Sequence, residues 1–521
     1  MKRQLLAMTL LLLVIGLALP VFAGPAQEDP DLPEILAQKV AKLPQDKLKT
    51  TVFVEPSPNG LKVAGTGSVL AAIILKAGGV LPTDLGALEW VEVNGAAFRK
   101  LNPSVVVIRT KDKEALGKLF KGGGYRNAPA IKNGDVFDFP DGLVDQAKDY
   151  QTYFAAWLAG TLYPNEFAKV ENLVRPQEVL AAKPLKLDMP YVESAAIVDS
   201  RLLDFVHRTL LIRFKRPMDI ISTNSGALKE IESVGNSFSP SSTWPIYHLL
   251  GYEGPKTTIY DVLKLDKAKA SIMGTGADLN NLVVTTRKYK DLAVTTLITA
   301  GVEGNAIRAG SDVGAYFEPG TINIIVLTNR HLSPGAMANA IIYVTEAKTA
   351  ALWEMDIRSV QTGLENPATG TGTDTVIVVS GEGKSVNYSG GHTKIGQLIA
   401  EAVKAGVTEA ILKQNGKTKR RTVKARLAER CLYYPELASI LTNPRYQGFV
   451  ELAFSLSDAY RFEQAVDLTA FESLALTVAS EIAGKPVLKL DPENNPESKG
   501  SKIPPPLSIA LRALMAGQKS Q

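Results

Sequence analysis

The chain opens one-sidedly, with Lys2 and Arg3, an apolar run over residues 5–19, and Val21-Phe22-Ala23 before Gly24. A basic start, about 15 apolar residues and a small-residue cleavage site predict a secretory signal peptide over 1–23, since a membrane span needs ~20. Residues 24–33 follow as a Pro- and acid-rich leader. From 34 to 43 the apolar residues Ile35, Leu36, Val40 and Leu43 recur at helical spacing until Pro44 ends the pattern. Residues 51–55 read as a short β-branched strand, and residues 69–77 as an apolar helix closed by Gly78-Gly79. Ser104-Val105-Val106-Val107-Ile108 reads as a strand buried on both faces. Residues 130–137 predict a hairpin turning at Asn133-Gly134, and 147–162 an amphipathic helix carrying Trp157. Strand and helix alternate through 50–165, which predicts a small α/β lobe.

Residues 168–195, punctuated by Pro176, Pro184 and Pro190, read as a linker or wrapping segment. A second unit follows, with strands at 209–214, 218–223, 292–300, 321–327 and 375–380. Its longest helix starts at Ser333-Pro334, a capping hydroxyl followed by Pro at the first helical position. The helix is predicted to run to about 360, some ~40 Å at 1.5 Å per residue. Another helix begins near Thr393 and is expected to stop at Gly406. The basic stretch Lys417, Lys419, Arg420, Arg421, Lys424 and Arg426 reads as a solvated face or loop, and helices follow to about 483. Residues 490–506 read as disordered, with one short helix after them. The expected architecture is multidomain, α/β followed by α+β. It comprises a signal peptide (1–23), a small α/β lobe (36–167), a mixed domain (193–414), and a helical extension with a disordered tail (416–521).

Composition narrows the function. The 521 residues are 45% hydrophobic and 21% charged, an ordinary globular balance. Removing the signal peptide takes Lys2 and Arg3 and lowers the net charge from +5 to +3, too weak a field for nucleic-acid binding. Cys431 is the single cysteine, so no intramolecular disulfide forms. The expected product is periplasmic or secreted, without stable membrane insertion.

No Walker P-loop, His-Glu-x-x-His pair or cysteine pair for zinc is present. The four histidines, His207, His248, His331 and His392, are too few and too scattered for a metal site to be the first reading. Polar residues instead crowd the stretch from Thr321 to Lys394. Asn323 interrupts an apolar strand, where its amide either pins a neighbouring loop or holds a ligand. His331 and Ser333 flank a helix start, where backbone N–H groups favour anions or carbonyl oxygens, although His331 could equally cap the loop. On the Ala-rich helix, Asn339 and Glu346 share a face while Lys348 lies about 200° from Glu346 around the axis. Glu346 serves either a cleft or a salt bridge. Ala368-Thr369-Gly370-Thr371-Gly372-Thr373-Asp374 offers hydroxyls and backbone N–H groups, as a ligand cradle or as a flexible turn. Ser389-Gly390-Gly391-His392-Thr393-Lys394 brings His392 and Lys394 to another helix start.

Five ordered blocks within 193–414 strongly resemble the adenosylcobinamide amidohydrolase family of corrinoid salvage. They are Thr299-Ala300-Gly301 with Asn305-Ala306 and Ala309-Gly310; Leu332-Ser333-Pro334-Gly335-Ala336; Thr345-Glu346-Ala347-Lys348-Thr349-Ala350-Ala351; residues 368–374; and Gly391-His392-Thr393-Lys394-Ile395-Gly396. Asn224-Ser225-Gly226-Ala227 stands where the family tends to carry a Gly-Gly pair. The resemblance implies hydrolysis of the amide joining a corrin propionyl arm to aminopropanol, giving adenosylcobyric acid, with the corrinoid as substrate; no cofactor is expected, and the residues give no metal site as the first reading. On that reading Glu346 is the base, His392 the acid, and Lys394 and Asp374 set local charge. The 369–373 loop donates to the oxyanion, and Asn323, His331, Ser333, Asn339, Lys348, Thr369, Thr371 and Thr373 bind substrate.

Residues 36–167 are similar to the C-terminal lobe of periplasmic binding proteins for cobalamin and iron chelates. The similarity rests on Gly65-Thr66-Gly67-Ser68, Ala77-Gly78-Gly79, Leu101-Asn102-Pro103, residues 130–135, and Trp157-Leu158-Ala159 with Tyr163-Pro164. It implies a cobalamin-type ABC transporter as a candidate partner. The alternative for the whole chain is a non-catalytic corrinoid binder associated with such uptake.

Overall fold

The structure, a computed structural model, describes residues 30–491 and 503–519 apart from 123, 252, 314–319, 431, 433 and 463. The expected signal peptide, Cys431 and most of the 490–506 stretch lie outside the described residues.

The N-terminal lobe is a five-stranded sheet of β1 (Thr51–Ser57), β2 (Gly60–Ala64), β3 (Trp90–Val93), β4 (Val105–Arg109) and β5 (Val136–Phe139), in the order β3-β2-β1-β4-β5. Its helices include α1 (Leu32–Ala41), α2 (Val69–Lys76), α3 (Pro129–Asn133) and α4 (Gln151–Leu162). Alternate strand residues feed two cores: Phe53, Val105 and Val107 meet Ile73, Phe154 and Leu158, while Val52, Val54 and Val106 meet Phe98 and Leu116. The expected hairpin at 130–137 is a correction. Asn133 ends α3, Gly134 caps it at φ +78°, and β5 then pairs parallel to β4. A left-handed Gly suits a helix cap as well as a hairpin turn.

The 168–195 segment is also more than a linker, because β6 (Glu178–Pro184) lies within it and pairs antiparallel with β7 (Val192–Leu202). Pro184 is the last residue of this outer strand, where a missing N–H is tolerated. The large sheet continues through β8 (Phe205–Ser222), β9 (Gly226–Phe238), β10 (Ala270–Thr275), β11 (Val283–Tyr289) and β12 (Leu292–Ala300). The two strands expected at 209–214 and 218–223 are one, β8, whose register shifts between Arg213 and Met218. The helix α5 (Glu253–Val262) covers the β7–β8–β10 side through Ile259 and nearby Leu263. A short ribbon pairs β13 (Ala306–Ile307) with a strand farther along the chain, and β14 (Ile322–Thr328) enters the sheet antiparallel to β12. After β15 (His331–Leu332) come α6 (Pro334–Glu354), β16 (Gly370–Thr371, the ribbon partner of β13), β17 (Thr375–Val379), β18 (Ser385–Val386) and α7 (Lys394–Asn415). β17 lies parallel to β14 and antiparallel to the end of β8.

Helices α6 and α7 share one face of this sheet, packing Ala336, Ala340, Val344, Ala351, Ile399 and Val403 on Ile298, Ile324, Val326 and Val378. The odd-numbered residues Ile325, Leu327, Ile377 and Val379 meet Tyr191, Phe214 and Met218 on the other face. Two helix lengths differ from expectation. α6 stops at Glu354, with Met355 as cap and Asp356 turned to φ +54°. α7 runs through Gly406 to Asn415; a Cβ at Gly406 would lie 2.7 Å from Ile298 Cδ1, so this glycine permits close helix–sheet packing.

The C-terminal unit contains α8 (Pro444–Arg461), α9 (Leu468–Ala483) and α10 (Pro505–Lys519). The last helix is the one expected after residues 490–506, and it packs into the unit: Leu507, Ala510, Leu511 and Leu514 are buried against Phe471, Val478 and Ile482. The basic stretch is likewise engaged. Arg421 and Lys417 bind Glu429, Lys419 binds Glu354 and Arg426 binds Asp356, fastening this unit to the end of α6. Among the described residues no helix is long and apolar enough to cross a membrane. The N-terminal lobe meets the large sheet through Lys39 and Asp204, a buried ion pair 2.5 Å apart, and through the edge-on pair Trp157–Trp244.

Candidate active site

The chain leaves β14 at Thr328, turns, and enters α6 at Ser333, whose Oγ accepts a hydrogen bond from the Ala336 N–H at 3.2 Å. α6 then runs back along the sheet, so its two ends visit opposite ends of the parallel β14–β17 pair. Fifteen residues separate Ser333 from Lys348, or ~22 Å along the axis. The polar residues read from the sequence divide accordingly.

At the far end, Lys348 is buried and binds Asp374, the residue before β17. Asp374 also accepts from the Ile322 N–H, the Thr371 N–H and the Thr371 hydroxyl. The carboxylate is thus saturated with donors and poorly suited to take a proton from water. The alternating glycines have a local reason. A Cβ at Gly370 would lie 2.7 Å from Lys348 Nζ, and one at Gly372 would lie 3.0 Å from Asn305 Oδ1. The 369–373 loop, assigned to the oxyanion from sequence, spends donors inside the fold. Thr369 N–H donates to Ile307, Gly372 N–H to Asn305, and the Thr373 hydroxyl to Gly320. Asn323 is a pinning amide: its Nδ2 donates to Asn236 Oδ1 and the Gly274 carbonyl, both at 2.8 Å, and its Oδ1 accepts from Thr321. Thr375, next to Asp374, donates at 3.4 Å to Asn224 in the turn that stands where the family tends to have Gly-Gly.

At the near end stand His331, Ser333, Asn339, His392 and Lys394. His331 is exposed, and its backbone N–H donates to Lys384. Thr393 caps α7, accepting from the Gly396 N–H and donating to the Gly390 carbonyl. Ser389 donates to the Ala336 carbonyl at 2.6 Å, tying this turn to the start of α6. Gly391 packs so closely on Tyr343 that a Cβ would fall 2.5 Å from Cε1. Lys394 is engaged by Gln397 and by the Tyr289 ring. Asn339 Oδ1 is buried without a hydrogen-bond partner among the described residues.

Glu346 lies between the two ends, exposed and one turn beyond Tyr343. The Tyr343 ring thus touches the turn that carries His392, while Glu346 stands one turn farther along the helix, on the side away from the buried Lys348–Asp374 pair. No hydrogen bond or ion pair engages the Glu346 or His392 side chain among the described residues. The other two histidines lie elsewhere. His207 is fully buried, accepts nothing charged, faces the Tyr247 hydroxyl at 2.9 Å, and is pushed down to about 4 by burial. Sequence reasoning missed Asn236 and Tyr343, and gave Asn305 no role beyond its family block. Tyr343 was open to discovery from its three-residue spacing to Glu346; Asn236, in the polar run Ser233-Val234-Gly235-Asn236-Ser237, carried no such signal.

Comparison with known proteins bears on the same region. Residues 192–419 match the family model described as adenosylcobinamide amidohydrolase. An uncharacterized protein of Methanocaldococcus jannaschii is 40% identical over 226 residues, which span 40% of this chain and 87% of that protein. The chain belongs to the adenosylcobinamide amidohydrolase family. The protein named adenosylcobinamide amidohydrolase in Methanosarcina mazei is 29% identical over 214 residues, 38% of this chain and 92% of that one. Outside the family region, the chain is similar to solved periplasmic binding proteins. One is the periplasmic heme-binding protein RhuT of Roseiflexus sp. RS-1, at 18% identity and TM-score 0.23, covering 26% of this chain and 52% of that one. Another is the molybdate-binding MolA of Haemophilus influenzae, at 22% identity and TM-score 0.22, covering 27% and 43%. The chain spans about half the length of these binding proteins.

Proposed function

We propose that the family domain hydrolyses the amide between a corrin propionyl arm and aminopropanol in adenosylcobinamide. The reading is supported most by an unengaged carboxylate, Glu346, one turn along α6 from Tyr343, on which the turn carrying the unengaged imidazole of His392 packs, in a family member. Glu346 accepts a proton from water as the oxygen adds to the amide carbon. The Gly391 and His392 backbone N–H groups, which no acceptor engages among the described residues, face the resulting oxyanion. His392, protonated, gives its proton to the nitrogen as the C–N bond breaks. The products are a corrinoid carboxylate and protonated aminopropanol.

Incubating the full chain with adenosylcobinamide should release aminopropanol and adenosylcobyric acid in equal amounts, read by chromatography. Tight corrinoid binding without either product would make the protein a corrinoid binder instead. The basic, apolar and small-residue pattern of residues 1–23 supports a second proposal, export to the periplasm or medium. N-terminal sequencing of the native protein should then begin at Gly24; a retained Met1 would refute export.

A further inference from the structure

Glu346 sits on the stripe of α6 that faces away from the sheet. At 100° per residue, Asn339, Ile342, Tyr343, Thr349, Ala350 and Trp353 all fall within about 60° of it around the helix axis. The opposite side of the helix, with Met337, Val344, Lys348 and Ala351, is buried on the sheet. On this stripe Glu346, Ile342 (51%) and Trp353 (44%) are exposed and Asn339, Tyr343, Thr349 and Ala350 half-buried, so exposed apolar surface lies on both sides of the carboxylate. Its flanks are walled. On one side the Gly391 backbone lies against Tyr343. On the other, Thr349 Oγ1 donates to the Thr369 carbonyl at 2.9 Å, holding the β13–β16 ribbon beside the helix. From that ribbon Arg308 places its guanidinium 4.8 Å from the Trp353 ring centroid, fixing the indole. Ile342 and Trp353 are eleven residues apart, or ~16 Å along the axis.

We infer that this stripe is the platform for one flat face of a large macrocyclic ligand, with Ile342 and Trp353 as specificity-determining contacts on either side of Glu346. The inference rests on the reaction proposed above and names how its substrate is held. An apolar macrocycle face gains by covering exposed apolar side chains, while its peripheral amides stay at the polar rim. In adenosylcobinamide the adenosyl group occupies one axial face, which leaves the opposite face for the helix. A propionyl arm hanging from that face then descends toward Glu346 between the two apolar contacts. A small amide would cover neither contact, which selects for the macrocycle.

The test uses the full chain with adenosylcobinamide as the probe, binding followed by absorbance change and turnover by aminopropanol release. Ile342→Asn and Trp353→Ala should each raise Kd and KM about ten-fold or more. Because neither residue touches the reacting atoms, kcat at saturation should stay within about three-fold. Trp353→Phe, which keeps an aromatic face, should recover most of the affinity even if Trp353→Ala folds poorly. Leu412→Ser, an exposed apolar residue on α7 outside the stripe, should change nothing. Unchanged Kd and KM in the stripe variants of an enzyme that binds and cleaves would overturn the platform and leave the reaction standing. So would a change confined to oligomeric state, which would mark the stripe as a protein interface. A wild-type chain that neither binds nor cleaves adenosylcobinamide would instead overturn the reaction itself, and the platform with it.

Discussion

Glu346→Gln is expected to lower kcat for adenosylcobinamide by ~10²–10⁴-fold, the usual contribution of a positioned general base. The glutamine is nearly isosteric and the side chain has no described partner, so the fold loses no contact. Corrinoid affinity should change far less than kcat, because the carboxylate's proton transfer matters in the transition state and not in the bound ground state. His392→Ala should cost a similar factor, since the leaving nitrogen then departs without a proton. The double variant should lose less than the product of the two single losses, as members of one catalytic unit act together. Stopped-turnover assays under saturating substrate decide the matter. Near-normal turnover in Glu346→Gln would remove the base from this stripe. Asp374, the next carboxylate on sequence grounds, is a poor replacement, because Lys348, Thr371 and Ile322 already occupy its oxygens.

The second large effect lies at the seam between the N-terminal lobe and the family domain. Lys39 on α1 and Asp204 in the β7–β8 turn are almost completely buried. Burial pushes the Lys39 ammonium down, and Asp204 partly restores it. Asp204 also accepts the Val174 and Arg175 N–H groups, both at 2.8 Å, so one carboxylate gathers α1, the 173–175 segment and the turn. Lys39→Met leaves that carboxylate buried with no cation, a change that typically costs about 3–5 kcal/mol. Urea unfolding followed by tryptophan fluorescence should show it, because Trp157 and Trp244 pack at 5.1 Å across the same seam. Adding Asp204→Asn, which keeps an acceptor for the two N–H groups but removes the charge, should recover much of the loss. A Lys39→Met variant as stable as the parent would mean that water reaches Asp204 and the seam is loose.

Much of the fold was legible from local patterns because the cause was local. Leu292–Ala300 is predicted to the residue, since aliphatic and β-branched residues free of charge suit a strand covered on both faces. Ser333-Pro334 marks the start of α6 because capping and a missing N–H act within one turn. The end of α6 could not be read the same way. Asp356 takes its positive φ where Arg426 and Arg430 hold its carboxylate, from some seventy residues downstream. Asn133-Gly134 announced a left-handed residue correctly, but whether it closed a hairpin or capped a helix depended on β5 pairing with β4.

The candidate site followed the same division. Residue chemistry was visible in the sequence: a carboxylate on an Ala-rich helix, an imidazole at a helix start, hydroxyls alternating with glycines. Grouping was not. Asp374 and His392 are only eighteen residues apart in the chain, yet β17 runs between them and carries them to opposite ends of the sheet. Tyr343 and Gly391, more than forty residues apart, come into contact because α6 and α7 pack side by side over one sheet face. By itself the sequence determined which polar side chains are on offer and where α6 and α7 begin, because capping depends on neighbours one turn away. Only the tertiary structure decided which of them share a site and which are already spent on one another, because that depends on strand pairing and helix packing between segments far apart in the chain.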